Sequence, residues 1–177
     1  MANDNMYRAA FERLWESAST QAVSNTQPGH ASAVFAVFLT KATKRAVFFC
    51  KELHPEVYDD ALVIEALDGA IDRGVSVQVI VQEKANASSL FASRMRQAQA
   101  CPESKVRFED QAPPQVRDFN FNFAFVDDRG YRIEPERDPS KALAAANSPE
   151  VVTELGKLFD AVNQCFRNAS TLLGNPH

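Results

Sequence analysis

The chain has 177 residues, of which 45% are hydrophobic and 24% charged, so the composition indicates one globular domain and excludes wholesale disorder. The 19 Lys and Arg against 23 Asp and Glu leave a formal charge of −4, which excludes a basic field over the whole protein for nucleic acid. No apolar run approaches the roughly 20 residues that cross a bilayer, so we expect no membrane segment.

The first predicted element is a helix over residues 5–17, and the polar stretch 18–30 predicts a loop. We expect the apolar surface of this helix to pack on the domain or on a partner. That surface consists of Met6, Phe11, Leu14 and Trp15. We therefore expect three regions: an N-terminal helix and linker over residues 1–30, an α/β domain over residues 31–167, and a flexible tail over residues 168–177.

Strands and helices alternate in the next part of the chain, which predicts a parallel strand–helix–strand unit with a right-handed crossover. The fold class is therefore predicted as α/β, with a mixed, largely parallel sheet and helices on both faces. The predicted elements are helix 31–43, strand 45–50, helix 57–73, strand 75–82, helix 88–99 and strand 105–109.

A strictly alternating strand follows over residues 119–126, with the sequence FNFNFAFV. Its Phe side chains point to one face, and Asn120 and Asn122 point to the other. The hairpin turn at residues 127–130 leads into a short strand that ends at Glu134. The last predicted helix begins at Pro149, which suits the first helical position, and ends near residue 166.

The three cysteines, Cys50, Cys101 and Cys165, stand far apart and form no CxxC or CxxxH pair. A zinc site therefore has no support, and we expect no metal and no cofactor. The odd cysteine count and the lack of a recognisable signal peptide predict a cytoplasmic protein. Cys50 lies in an apolar run and is interpreted as a buried thiol.

One spacing in the alternating strand points to chemistry. Asn120, Asn122 and Asp127 form the pattern N-x-N-x-x-x-x-D, which resembles the H-x-K-x-x-x-x-D signature of the phospholipase D superfamily with Asn at the His and Lys positions. The flanking helices and strands are also similar to those of the family, over about residues 35–166. The similar segments are FLTKATKRAVFFCKEL, ALVIEALDGAIDRGVSVQVIVQ and NSPEVVTELGKLFDAVNQCF. The resemblance implies a single phospholipase D-like lobe.

This superfamily cleaves phosphodiesters through a covalent phosphohistidine, and its Lys side chains hold the phosphate. Asparagine is a poor nucleophile and does not titrate, so the resemblance implies a lobe whose catalytic site is lost. The family's downstream Gly-Ser-x-Asn is also absent, and Glu134 stands there, where it would repel a phosphate. We expect Asn120, Asn122, Asp127 and Glu134 to form a vestigial pocket that binds a ligand. The alternative is that both Asn residues are the polar face of a strand and that Asp127 is a turn residue.

Two weaker sets of candidates remain. His54, after the first strand, and Asp127 are candidate catalytic residues, and the alternative for His54 is an exposed loop position. The basic residues Lys44, Arg45 and Lys51 are candidate phosphate contacts, and the alternative for them is a solvated surface.

Three functions stay open. The favoured one is a non-catalytic binding or assembly module that regulates a partner enzyme or complex; the others are a nucleic-acid-binding pseudo-nuclease and a phosphodiesterase that uses other residues. Contiguous basic side chains around Asn120 would favour nucleic acid, and a His–carboxylate hydrogen bond in a deep pocket would favour catalysis. We expect weak nucleic-acid binding or none. Since the superfamily joins two lobes at one site, the resemblance also implies a homodimer through residues 120–126 or the loop after them.

Overall fold

The computed structural model describes residues 2–110, 112–117, 119–136, 138 and 141–173; of residues 2, 3 and 167–173 it describes the backbone alone. Helices and strands alternate along most of this chain. The elements, in order, are α1 (Ala2–Glu16), β1 (Ala22–Ser24), α2 (Pro28–Lys41), β2 (Arg45–Cys50), α3 (Pro55–Tyr58), α4 (Ala61–Asp72), β3 (Ser76–Val81), α5 (Leu90–Gln99), β4 (Arg107–Glu109), α6 (Pro114–Arg117), β5 (Phe121–Val126), β6 (Gly130–Pro135), β7 (Leu143–Ala145) and α7 (Pro149–Leu173).

The described strands form one mixed sheet in the order β1-β7-β6-β5-β2-β3-β4. β2 pairs in parallel with β3, and β3 with β4, whereas the other four pairings are antiparallel. The predicted α/β class and mixed sheet are confirmed, but the prediction of a largely parallel sheet is wrong. β5 and β6 are joined by a tight turn, which forces them antiparallel, and β5 then lies antiparallel beside β2.

The parallel unit over β2, α4 and β3 forms as predicted, with both strands buried on both faces. The single predicted helix over residues 57–73 is instead two helices, α3 and α4. The break falls at Asp60, whose carboxylate accepts a hydrogen bond from the backbone N–H of Leu62 and caps α4. Gly74, at φ 71°, ends that helix in the left-handed conformation that a glycine adopts without strain.

Helices cover both faces of the sheet, as predicted. One face packs against α1, α2, α4 and α5 and includes Phe48 and Ala124, while the other packs against α6 and α7 and includes Phe123 and Phe125. The predicted alternation of β5 is therefore confirmed. It also corrects one expectation: Ala124 and Val126 are buried under the first helical layer, so the face opposite the Phe side chains is not an exposed dimer surface.

The N-terminal helix α1 packs on the domain. Phe11 and Trp15 are buried, and their rings lie 5.9 and 6.0 Å from the ring of Phe38, whereas Met6 is 71% exposed. The predicted loop before α2 contains the edge strand β1, which pairs with β7. At the other end, α7 continues to Leu173, and residues 174–177 of the predicted tail lie outside the described residues.

Candidate functional site

A cavity of about 310 Å³ opens at the carboxyl end of β2. β5 runs antiparallel to β2, so the first residues of β5 reach the same end of the sheet, and the last residues of β6 lie beside them. The segment before α2, the start of α2, and α3 close the other side. The cavity is lined by Asn25, Thr26, Gln27, Pro28, Ala31, Phe35, Cys50, Lys51, Glu52, His54, Val57, Tyr58, Asn122, Arg132 and Glu134.

Asn122 links the strands at the cavity wall. Its Oδ1 accepts a hydrogen bond from the backbone N–H of Lys51 at 2.9 Å, and its Nδ2 donates to Oε1 of Glu134 at 2.8 Å. Asn122 and Glu134 are direct partners in the register of β5 and β6, so the sheet itself holds the two side chains together. The amide thus joins the end of β2 to β6 across the site.

Glu134 is also paired with a buried cation. Oε2 of Glu134 accepts from the guanidinium of Arg132 at 3.0 Å, and the two side chains are 12% and 7% exposed. Arg132 Nε donates to Oδ1 of Asn25 at 2.5 Å, and Asn25 Nδ2 donates to the hydroxyl of Tyr7 at 3.3 Å. A polar network therefore runs from α1 to the cavity, and each buried charge in it has an opposite charge or a hydrogen-bond partner.

Aromatic rings form the opposite, apolar wall. The rings of Phe35 and Tyr58 lie 5.3 Å apart, and the guanidinium carbon of Arg132 lies 5.4 Å from the centroid of the Phe35 ring. Burial raises the pKa of the Cys50 thiol to about 12, so Cys50 is a protonated thiol at neutral pH. Burial likewise raises the pKa of the Tyr58 hydroxyl well above its ordinary value.

The charged residues at the mouth are less confined. His54 is exposed and precedes α3, and its imidazole makes no hydrogen bond with a carboxylate of the described residues. Lys51 Nζ lies 3.5 Å from Oε1 of Glu83, and Glu52 is exposed. The structure therefore brings four of the predicted site residues to one cavity: Lys51, His54, Asn122 and Glu134.

Three other predicted site residues lie at the opposite end of the sheet. Asp127 follows β5, and its carboxylate accepts hydrogen bonds from the backbone N–H groups of Thr43, Lys44 and Arg45 at 2.8 to 3.4 Å. The Thr43 hydroxyl donates to it at 2.9 Å. Asp127, Lys44 and Arg45 do not line the cavity, so the structure separates them from Asn122. The interpretation of Asp127 as a turn residue fits this placement better than that of a catalytic acid.

Asn120 stands just before β5, is exposed, and is not part of the cavity wall. The cavity wall also includes Asn25, Tyr58 and Arg132, which were not predicted as site residues. The sequence pattern could have predicted Arg132, because it precedes Glu134 by two residues on a strand and so lies on the same face of the sheet. No sequence pattern could have predicted Asn25, because it follows an edge strand that the polar sequence did not predict.

Across the described ranges, no group of three or more His, Cys, Asp or Glu side chains is placed to hold a metal ion. None of the helices in those ranges is both long enough and apolar enough to cross a membrane.

Among solved structures, three similar ones are NucT from Helicobacter pylori, TrmBL2, an archaeal chromatin protein with a novel mode of DNA binding, and Nuc from Salmonella typhimurium, a phospholipase D family member. NucT is 13% identical, with 78% of this chain and 90% of NucT covered and a TM-score of 0.52. TrmBL2 is 12% identical, with 92% of this chain covered and a TM-score of 0.54, and the chain spans 61% of TrmBL2. Nuc is 14% identical, with 76% of this chain and 85% of Nuc covered and a TM-score of 0.48.

At 12% and 13% identity, the likeness to TrmBL2 and NucT shows a shared fold and nothing more. No curated protein matches the chain in sequence. Residues 27–172 match the sequence family described as Domain of unknown function (DUF7931), and the chain belongs to that family.

Proposed function

We propose that this chain is a catalytically inactive phospholipase D-like protein that acts as a binding or assembly module, with the cavity beside Asn122 as its binding site. The observation that carries the proposal is the bonding of Asn122, whose amide oxygen and nitrogen both hold neighbouring strands. A side chain at the Lys position of the motif thus stabilises the cavity wall instead of carrying a positive charge toward a phosphate.

The cavity also lacks a prepared nucleophile. Cys50 is protonated at neutral pH because its thiol is buried, and His54 has no carboxylate partner among the described residues to orient it. The carboxylate of Glu134 faces the site, and the nearest buried cation, Arg132, is already paired with it. A phosphodiester would meet neither a nucleophile nor an unpaired positive charge in the interior of this cavity.

Nucleic acid is the second candidate ligand, and the charge pattern argues against strong binding. Seven basic side chains of the described residues outside the cavity have a carboxylate within 4.0 Å, which lowers their attraction for a polyanion. The pairs are Arg8 with Glu12, Lys41 with Glu16, Arg94 with Asp68, Arg96 with Asp110, Arg107 with Glu109, Lys141 with Glu136 and Lys157 with Glu154. The DNA binding of TrmBL2 therefore does not carry over on the fold alone.

A homodimer, or a complex with a partner protein, remains part of the proposal. The buried side chains of β5 leave Asn120 as the exposed residue of the motif. Any self-association through this region therefore uses Asn120 and the segment around it, rather than the whole face of β5.

The test of inactivity is hydrolysis of bis-p-nitrophenyl phosphate by the purified full chain, compared with its His54→Ala variant. We expect both proteins to release nitrophenolate at the rate of the buffer. Release by the wild type that His54→Ala abolishes would show that the cavity is a working phosphodiesterase and would overturn the proposal.

A further inference from the structure

The polar wall of the cavity presents a donor and an acceptor side by side. Nδ2 of Asn122 and Oε1 of Glu134 are 2.8 Å apart. An amide nitrogen carries two hydrogens, of which one is used by Glu134, and each carboxylate oxygen accepts more than one hydrogen bond. The wall therefore keeps one amide hydrogen and further carboxylate lone pairs for a ligand.

The hydrogen-bonding groups of Asn122 and Glu134 are complementary to the edge of a cyclic amide. In a cyclic amide, or lactam, the N–H and the C=O lie on the same side, with nitrogen and oxygen about 2.2 Å apart from standard bond lengths. Such an edge donates to a carboxylate with its N–H and accepts from an amide with its C=O. Glu134 offers the carboxylate and Asn122 offers the amide N–H.

The charge of the cavity favours an uncharged ligand. The buried Arg132 and Glu134 neutralise each other, and the charged residues at the mouth, Lys51 and Glu52, are one of each sign. A net charge on the ligand would be buried without a counter-charge in the interior, which is costly.

The opposite wall suits a flat ring. Phe35 and Tyr58 present aromatic surface to the cavity, and the volume of about 310 Å³ lies at the small end of the ~300–1,000 Å³ found for small-molecule sites. A single heterocycle with a small substituent fits this size, whereas a long chain does not.

Resting on the proposed function of this cavity as a binding site, we propose that it binds an uncharged heterocyclic lactam, the chemical class of uracil and uridine. The lactam edge pairs with Asn122 and Glu134, and the ring lies against Phe35 and Tyr58.

The test is calorimetric titration of the full chain with uracil, uridine, N3-methyluridine and uridine monophosphate. We expect uracil or uridine to bind with a Kd of about 1 mM or tighter. N3-methyluridine, which lacks the lactam N–H, should bind at least tenfold more weakly, and the monophosphate should bind no tighter than uridine. Comparing uracil with uridine shows whether the sugar contributes.

A matched pair of variants places the site. Val57→Phe adds volume inside the cavity and should abolish binding, whereas Val151→Phe, on α7 and outside the cavity, should leave it unchanged. Because the N3-methyl comparison uses the wild-type chain, it decides the matter even where Val57→Phe fails to fold.

The proposal is overturned by absence of binding, by equal affinity for N3-methyluridine, or by tighter binding of the monophosphate, which would indicate an anion site. None of these ligands contains a phosphodiester. A negative titration would therefore reject the lactam site alone, whereas catalytic inactivity is tested separately by the release of nitrophenolate.

Discussion

Asp127, the last residue of the N-x-N-x-x-x-x-D pattern, makes the hydrogen bonds of a structural residue. Its carboxylate satisfies three successive backbone N–H groups where the chain passes from α2 into β2. Asp127 itself adopts φ 53°, a left-handed conformation that Asp and Asn tolerate better than most residues. Asp127 therefore stabilises the end of the sheet opposite the cavity.

Replacing Asp127 by Asn should lower stability without changing the cavity. Asn keeps the shape and tolerates the backbone conformation but loses the charge that strengthens these hydrogen bonds. We expect the free energy of unfolding to fall by about 1–3 kcal/mol at pH 7, measured by urea denaturation. The exposed neighbour Asp128→Asn is the matched control and should change it little. Equal stability of Asp127→Asn and wild type would contradict the assignment.

The same residue predicts a pH dependence. Burial alone would raise the pKa of Asp127, but the donated N–H groups of Arg45, Lys44 and Thr43 and the Thr43 hydroxyl hold it below its ordinary value. A lowered folded-state pKa means that the carboxylate stabilises the fold above about pH 3.9 and that this contribution is lost as pH falls through the folded pKa. The stability difference between wild type and Asp127→Asn should therefore shrink on acidification. A difference that grows toward acid pH would give the opposite sign and exclude this cause.

At the scale of elements, α1 docks on the β5–β6 hairpin through a close approach at Gly130. A Cβ there would lie 2.6 Å from the Trp15 ring and 3.0 Å from the Phe38 ring, so a side chain has no room. The indole is additionally held by Arg129, whose guanidinium carbon lies 4.5 Å from the ring centroid. α1 is thus part of the packed domain, although it lies outside the family match.

Gly130→Ala should destabilise the protein by about 1–3 kcal/mol, because either the Trp15 ring or the hairpin must move. Gly156→Ala is a matched control on α7, where the added Cβ meets only the Arg45 guanidinium at the ordinary distance of 3.6 Å. Loss of helix-disfavouring glycine should stabilise that variant by about 0.5–1 kcal/mol. Thermal unfolding of both variants measures the two effects, and a neutral Gly130→Ala would show that α1 does not pack closely.

The elements differ in how far the sequence alone could predict them. β2 and β3 carry their own signal in continuous apolar runs, and the end of α4 is signalled by Gly74, whereas its start at Asp60 was not predicted. β1 and β7 have three residues each, too few to show an alternating pattern. They form because they pair with each other and because β7 also pairs with β6, which is a non-local cause. The residues of the cavity likewise divide into those with a local sequence signal and those placed by non-local pairing. Asn122 and Glu134 were predicted as site residues, whereas Asn25 depended on the unpredicted β1.

For the whole molecule, the paired basic side chains and the charge of −4 predict weak nucleic-acid binding. We expect a Kd for a labelled DNA or RNA oligonucleotide no tighter than about 10⁻⁴ M at physiological salt, and a steep further loss as salt rises. Fluorescence anisotropy at two salt concentrations measures both quantities. Nanomolar affinity at physiological salt would establish the pseudo-nuclease alternative instead.

Self-association is the second property of the whole molecule. A homodimer through the region of Asn120 should give a mass near twice 19.6 kDa by light scattering. Asn120→Arg would place like charges near each other and shift the protein toward monomer, whereas Gln97→Arg, exposed on α5 with the same change in charge, should not. A monomeric wild type at high concentration, or a dimer indifferent to Asn120→Arg, would contradict this prediction.

The central claim is that a phospholipase D-like lobe has kept its cavity and lost the covalent step. The most direct measurement is intact-mass spectrometry of the full chain after prolonged incubation with bis-p-nitrophenyl phosphate. Phospholipase D chemistry passes through a phosphorylated histidine, whereas here no carboxylate of the described residues orients His54, and Asn122 holds the cavity wall. We predict an unchanged protein mass and release of nitrophenolate no faster than in buffer alone. A phosphoryl adduct that maps to His54, with release of nitrophenolate, would contradict the account.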